Sequence, residues 1–300
     1  KRKKMLDQFY NTDREVFFKV DEEPVIGSMT GTLAKGKRML RKQDPDRPLQ
    51  SGQYLSIVGD GYRTVENEEV LMPLQKAMIN YFDPAVLESV EINDTMGYRK
   101  GGLITWSEYR FPKLAKPIET SSGHRTNLML RYIFKNGYDG KHGMTLYAGE
   151  IDAFCTNGMI TGSYDKFTKR HTSSFDPDDF VLAFEESMAK YHEIADQYQR
   201  WADTKVDPSK VAEVLEKFTG SEEYKPNRLA TKLWSQFTDE REVRGCNVFA
   251  FVSALTHYAS HNDSRFPITR SGSADTLYKR QEKVQGWLRS KAFKELEAAY

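Results

Sequence analysis

Only two cysteines occur in the 300 residues, Cys155 and Cys246, far apart and with no CxxC pair. That spacing excludes a disulfide-stapled scaffold and fits a reducing, cytoplasmic compartment. No apolar run approaches the roughly 18–20 residues that a helical membrane span requires. The chain opens Lys1-Arg2-Lys3-Lys4 with no long apolar segment behind it, so no secretory leader is expected. The GxxxxGKS/T phosphate loop, the GxSxG nucleophile elbow and the GxGxxG dinucleotide fingerprint are all missing, and so are tandem repeats and low-complexity tracts.

Metal and nucleophile patterns are thin as well. His192-Glu193-Ile194-Ala195-Asp196 comes near the HExxH zinc pattern, but Asp196 stands where the second imidazole would have to be. His257 and His261 lie four residues apart and could share an ion, although two ligands do not make a site. Cys155 could act as a nucleophile with His171 or His124 as base, against the ordinary reading of a lone cysteine as a small buried hydrophobe. Neither a catalytic residue nor a metal or other cofactor is expected, and the reading leans away from an enzyme.

What is present is aromatic and unevenly charged. Hydrophobic residues make up 39% and aromatics 12%, too many aromatics for a disordered chain. The net charge is +1, but residues 1–42 carry 11 Lys and Arg against 6 Asp and Glu, residues 43–98 carry 3 against 10, and residues 99–171 carry 12 against 6. A near-neutral total can hide a basic face.

The pattern divides into a basic β-rich arm over residues 1–46, an α+β core over 47–175 and a helical part over 176–300. In the arm, Glu15 to Val20 and Val25 to Leu33 read as short strands with Gly27, Gly31 and Gly36 as bends or bulges between them, and the run Lys35 to Lys42 reads either as a phosphate-holding segment or as an edge strand guarded by lysines. Gln53 to Val58 is a strand, and a helix opens at Glu66 or Asn67, with Pro73 either starting it or kinking its first turn. Strands are expected at Val86–Asn93, Gly102–Phe111, Thr126–Phe134 and Gly143–Asp152, with turns at Asn136-Gly137 and Asp139-Gly140 and a corner at Cys155-Thr156-Asn157-Gly158. From Asp176-Pro177 the apolar period becomes helical, through Phe180, Phe184, Met188, Tyr191 and Tyr198. Asp207-Pro208 opens another helix closed by Gly220; Leu229, Leu233 and Phe237 mark a third, Val248 to Tyr258 a nearly apolar fourth, and a charged helix runs from about Ala274. The predicted fold is α+β, a twisted antiparallel sheet in the N-terminal half packed with a helical C-terminal half.

Between Arg99 and His171, cations and aromatics interleave: Trp106, Tyr109, Arg110, Arg125, Arg131, Tyr132, Lys135, Lys141, Lys169 and Arg170 among them. Cations neutralise phosphates and aromatic faces stack on bases, the chemistry of single-stranded nucleic-acid binding.

Three blocks resemble the phage/plasmid-like protein family known as domain of unknown function 932. They are Ser56 to Glu69, with Tyr62-Arg63 and Asn67-Glu68-Glu69; Phe154 to Ile160 with the later Arg170-His171-Thr172; and Asn247 to His261, ending in Thr256-His257-Tyr258-Ala259-Ser260-His261. The resemblance covers residues 53–262 and implies a bacterial mobile element. More remotely, the sheet-plus-helix layout is similar to that of phage single-strand annealing proteins. That similarity implies a homo-oligomer with Arg125, Arg131, Lys135, Lys169, Arg170 and His171 along a phosphate groove, Lys141 beside it, and Trp106 and Tyr132 as stacking platforms. The expected function is single-stranded DNA binding, with annealing as its use. The alternative is a phage protein-interaction, regulatory or virion component working through its helical half.

Overall fold

The computed structural model describes residues 7–11, 13–44, 46, 52–96, 103–152, 161–222, 225, 227–260 and 273–298. The corner at Cys155 to Gly158 and the ligand candidate His261 lie outside them. The fold is α+β as expected, with N-terminal antiparallel sheets followed by a helical region.

The first sheet has the order β1 (Val20–Ile26), β2 (Leu33–Lys42), β3 (Gln53–Gly59), antiparallel throughout. The basic run is therefore the central strand of this sheet and not a guarded edge. Its arginines are matched by β1: Arg38 pairs with Glu22, and Arg41 Nε lies 3.0 Å from Glu23 Oε2. Lys35 and Lys37 stay exposed at its beginning. The strand expected at Glu15–Val20 starts only at Val20, and Gly27 and Gly31 bend the segment Val25–Leu33 as expected, in the turn at Gly27–Thr32.

Helix α1 (Asn67–Tyr81) begins with Glu69 reaching back to the Glu66 backbone N–H at 3.0 Å. Pro73 neither starts it nor breaks it. It sits inside the helix, where its ring forfeits one i to i−4 hydrogen bond. Asp83-Pro84 then starts a single helical turn, α2 (Pro84–Leu87), so the segment expected as one strand from Val86 becomes extended only at β4 (Glu91–Met96).

The second sheet has the order β4, β5 (Ile104–Glu119), β6 (Arg125–Gly137), β7 (Met144–Asp152), β8 (Thr161–Lys169). The helices are α3 (Asp178–Asp203), α4 (Pro208–Thr219), α5 (Arg228–Arg244), α6 (Val248–Ser260), α7 (Ser273–Leu288) and α8 (Lys291–Ala298). Capping follows the sequence signals: Asp176 accepts from the Asp178 N–H at 3.0 Å, Asp207 from Ser209 at 2.8 Å, and Asn227 from Ala230 at 2.9 Å. No described helix is long and apolar enough to cross a membrane.

The chain forms two compact units. One comprises residues 1–113, 131–148 and 165–188; the other comprises 114–130, 149–164 and 189–300. In the first, Phe82, Phe111, Tyr132 and Phe184 pack ring against ring, with 4.7 Å between the Phe82 and Phe111 centroids. Phe18, Leu40, Leu55, Val58 and Tyr138 form a second cluster there. In the other unit, α6 is buried on nearly every side, Val248 to Val252, Ala254 and Leu255 all lying in the core. Around it stand Trp201, Phe218, Phe237, Trp287 and Phe293, with the Phe218 and Trp287 rings parallel at 5.2 Å. Each such ring contributes roughly 2–3 kcal/mol by leaving water.

Candidate functional site

The first unit carries a polar cleft of about 330 Å³, lined by Gly61 and Tyr62, by Gly140 to Gly143, and by Arg170 to Thr172. Three chain segments far apart in sequence build it: the connection from β3 to α1, the loop joining β6 to β7, and the chain leaving β8. Local chemistry shapes each one. Asn136-Gly137 closes β6 and is no turn; the reversal belongs to Asp139-Gly140. Asp139 Oδ1 accepts from the Lys141 and His142 N–H groups at 2.9 and 2.8 Å, and its other oxygen meets His142 Nδ1 at 2.7 Å. Burial works to raise the Asp139 carboxyl, but the His142 ring and these two N–H groups hold it well below the usual carboxylate range. Gly140 sits at φ +70°, a left-handed conformation natural to glycine. Gly143 lets the hairpin approach β8, because a Cβ there would stand 2.4 Å from the Lys169 carbonyl oxygen.

His171 ties the three segments together. Its Nδ1 lies 3.2 Å from the Arg63 carbonyl and its Nε2 lies 2.9 Å from Asn136 Oδ1, while the Arg63 N–H donates back to the His171 carbonyl at 3.1 Å. Asn136 Nδ2 donates in turn to Asn67 Oδ1 at 2.9 Å and to the Val65 carbonyl at 3.2 Å. The ring stacks on Tyr62 with centroids 4.7 Å apart. Arg63 spans from the Phe175 carbonyl, at 2.6 Å, to Glu69, at 3.1 Å. Residues from two of the three sequence blocks, Tyr62-Arg63 with Asn67 and Arg170-His171-Thr172, thus meet at one place.

An unfolded imidazole titrates near 6.5, whereas burial pushes His171 down to about 4, against the Arg63 carbonyl and Asp139, which act to raise it. Between those values the folded state binds fewer protons than the unfolded chain. The contribution to stability is therefore complete above about pH 6.5 and lost as pH falls toward 4. Urea melts at pH 7 and pH 4.5 should differ more in the wild type than in His171→Gln, by on the order of 2–3 kcal/mol. Equal pH dependence in the two proteins would remove His171 as the cause.

The sequence-predicted residues separate into distinct settings. Lys141 and Arg170 are exposed at the cleft and have no ion-pair partner among the described residues. Lys169, next to them in the chain, is held by Asp179 at 2.7 Å. Arg125 is exposed in the other unit, 3.1 Å from Glu119. Arg131 and Lys135 are buried on β6: Arg131 pairs with Glu108, and Lys135 Nζ lies 5.8 Å from the centre of the half-buried Trp106 ring. Tyr132 is closed to solvent on the opposite face of β6, its hydroxyl 2.6 Å from Ser187 Oγ. In this arrangement Tyr132 is a core ring with no face to offer a base.

Sequence reasoning passed over Tyr62 and His142 as site residues, while the phosphate-holding alternative for Lys35 to Lys42 already took in the exposed Lys35 and Lys37. Register brings the last two close: Lys37 stands opposite Gly59, and Gly36 lies against Asp60, one residue from the cleft wall. Glycines stand on both walls of the cleft, Gly61 on one and Gly140 and Gly143 on the other, but nothing local in the sequence sets those segments against each other. For chemistry, the cleft offers two uncompensated cations, a histidine half-open to water, and an aromatic wall. Among the described residues no group of three His, Cys, Asp or Glu could hold a metal ion.

A family model described as Domain of unknown function (DUF932) matches residues 54–286, well over half of the chain. No curated protein and no solved structure matches.

Proposed function

The chain belongs to the DUF932 family, and on that premise we propose that it is a single-stranded DNA-binding protein of a phage or other mobile element, with strand annealing as its use. The observation that carries this reading is the convergence of basic stretches from across the sequence. Lys35 and Lys37 at the start of β2, Lys141 in the β6–β7 loop and Arg170 after β8 come to the same end of the first unit. Charges left unpaired at a polar cleft attract a polyanion, and Tyr62 gives the cleft an aromatic wall of the kind on which bases stack. Sequence-tolerant binding needs no more than this. Annealing proteins of this kind act as rings, and a homo-oligomer belongs to the same reading.

Fluorescence anisotropy with a labelled oligo-dT, beside a matched duplex, tests it. The expected result is micromolar or tighter binding at low salt that prefers the single strand. The expected slope of log K against log salt is about −0.7 for each phosphate contacted, so roughly −1.5 to −3 for two to four contacts. No binding at low salt, or equal affinity for the duplex, overturns the proposal.

A second reading, docking of a protein partner, draws on a different feature of the same unit. A groove of about 710 Å³ is lined by Met72, Pro73, Tyr81 and Val181, with Tyr10 and Glu185 at its sides. Tyr10 and Tyr81 are 44% and 53% exposed there, a large aromatic area left open to solvent. Anisotropy without binding would turn attention to this groove.

A further inference from the structure

We propose that the cleft seats a single oxyanion between Lys141 and Arg170 and that its grip is coupled to a proton on His171. The proposal rests on the nucleic-acid reading only in so far as the natural oxyanion would be a phosphodiester; the coupling itself stands on the geometry around the ring.

His171 is only 4% exposed, and both of its ring nitrogens face oxygen atoms that accept hydrogen bonds, the Arg63 carbonyl and Asn136 Oδ1. The Asn136 amide is fixed in that sense, because its nitrogen is committed to Val65 and Asn67. A neutral imidazole donates from one nitrogen and leaves the other against an acceptor; the imidazolium donates from both. The hydrogen-bonding frame is therefore built for the charged ring, while burial opposes the charge. What the ring lacks is a counter-charge. The titratable and charged groups facing it are Tyr62 and Arg63 from the segment before α1, with Glu69 of α1 paired to Arg63. From the hairpin loop come Tyr138, Asp139, Lys141 and His142, and Arg170 is its chain neighbour. Asp139 is the carboxylate that acts on His171 directly, and it is already engaged by His142 and two backbone N–H groups.

An anion resting on Lys141 and Arg170 supplies the missing charge to the same cleft that His171 lines. Proton and anion then favour each other, and the coupling is reciprocal: acid tightens the anion, and the anion holds the proton. One proton can change affinity by at most tenfold per pH unit.

The test uses probes that do not titrate. Sulfate remains a dianion, and neither thymine nor a phosphodiester changes charge between pH 5 and 8, so oligo-dT and sulfate both report on the protein alone. In the wild type, affinity for each should tighten about threefold to tenfold from pH 7.5 to pH 5.5, and in His171→Gln most of that tightening should be lost. In ¹³C-labelled wild-type protein the His171 titration midpoint should rise on saturation with sulfate, a readout that holds even where the variant fails to fold. A pH-independent affinity, or a His171 resonance unmoved by saturating sulfate, overturns the coupling. If sulfate moves His171 while oligo-dT does not bind, the inference stands for a small anion and the nucleic-acid reading falls. If oligo-dT binds with no dependence on pH, the inference falls and the nucleic-acid reading stands.

Discussion

Replacing Lys141 and Arg170 together by glutamate is expected to lower single-stranded DNA affinity on the order of 100-fold at low salt and to flatten the salt dependence. Each cation removed takes away one released counterion, about 0.7 in the slope, and each carboxylate added repels the phosphate it replaces. The fold should not register the change. Both side chains are exposed and neither has an ion-pair partner among the described residues, so the substitutions fall in the class that shifts stability by about 0.5 kcal/mol or less. Anisotropy titrations at two salt concentrations, beside a urea melt of the same preparation, separate the two effects. Unchanged affinity with an intact fold would move the interface elsewhere.

Arg131→Glu should do the opposite, unfolding the protein before it says anything about DNA. Arg131 is 6% exposed and pairs with Glu108, which also receives Arg110 at 2.7 Å. Burial works to raise the Glu108 carboxyl, and Arg131 with Arg110 overcomes it and holds Glu108 ionised. Burial also presses the Arg131 guanidinium below its usual value, but that value is so high that the group stays charged at neutral pH. Breaking a buried pair from one side costs about 3–5 kcal/mol, and placing a second carboxylate against Glu108 adds repulsion. Against a total stability of about 5–15 kcal/mol, that is from about a fifth to nearly all of it. The denaturation midpoint should fall accordingly, and the paired change Arg131→Met with Glu108→Leu should recover most of it. A midpoint left in place by Arg131→Glu would mean that the pair is open to water. Any loss of binding in an Arg131 variant has to be read with its melt beside it.

The same contrast shows what the sequence could and could not convey. Helix starts and ends were legible because their signals are local: Asp207-Pro208 and Gly220 bound α4 as their chemistry requires, with Gly220 at φ 65°. The run from Val248 to Tyr258 read as buried because an apolar surface on all sides has nowhere else to go. Strand boundaries were harder. The strand expected to end at Phe111 runs on through Pro112 and Pro117 to Glu119. Thr161–Lys169 is polar enough to have hidden β8. On β6, alternation shows which residues share a face, not whether that face is covered. Both faces are covered from Arg131 to Gly137, apart from a half-buried Ile133, so cations that looked available are interior. The cleft was beyond local reading altogether. Its central contact joins Arg63 to His171 across 108 residues, and no periodicity reports on a pairing of that span.

The chain passes between its two compact units five times, at 113/114, 130/131, 148/149, 164/165 and 188/189. No single cut can therefore release either unit as one piece, and a truncation series on this protein would report broken units rather than separable activities. During synthesis the first unit cannot be completed until residue 188 has left the ribosome, and the second waits for the C-terminal helices. Contacts of such long sequence separation close slowly, so the nascent chain spends its assembly time with unfinished strands exposed, the interval in which a chaperone would matter most to it.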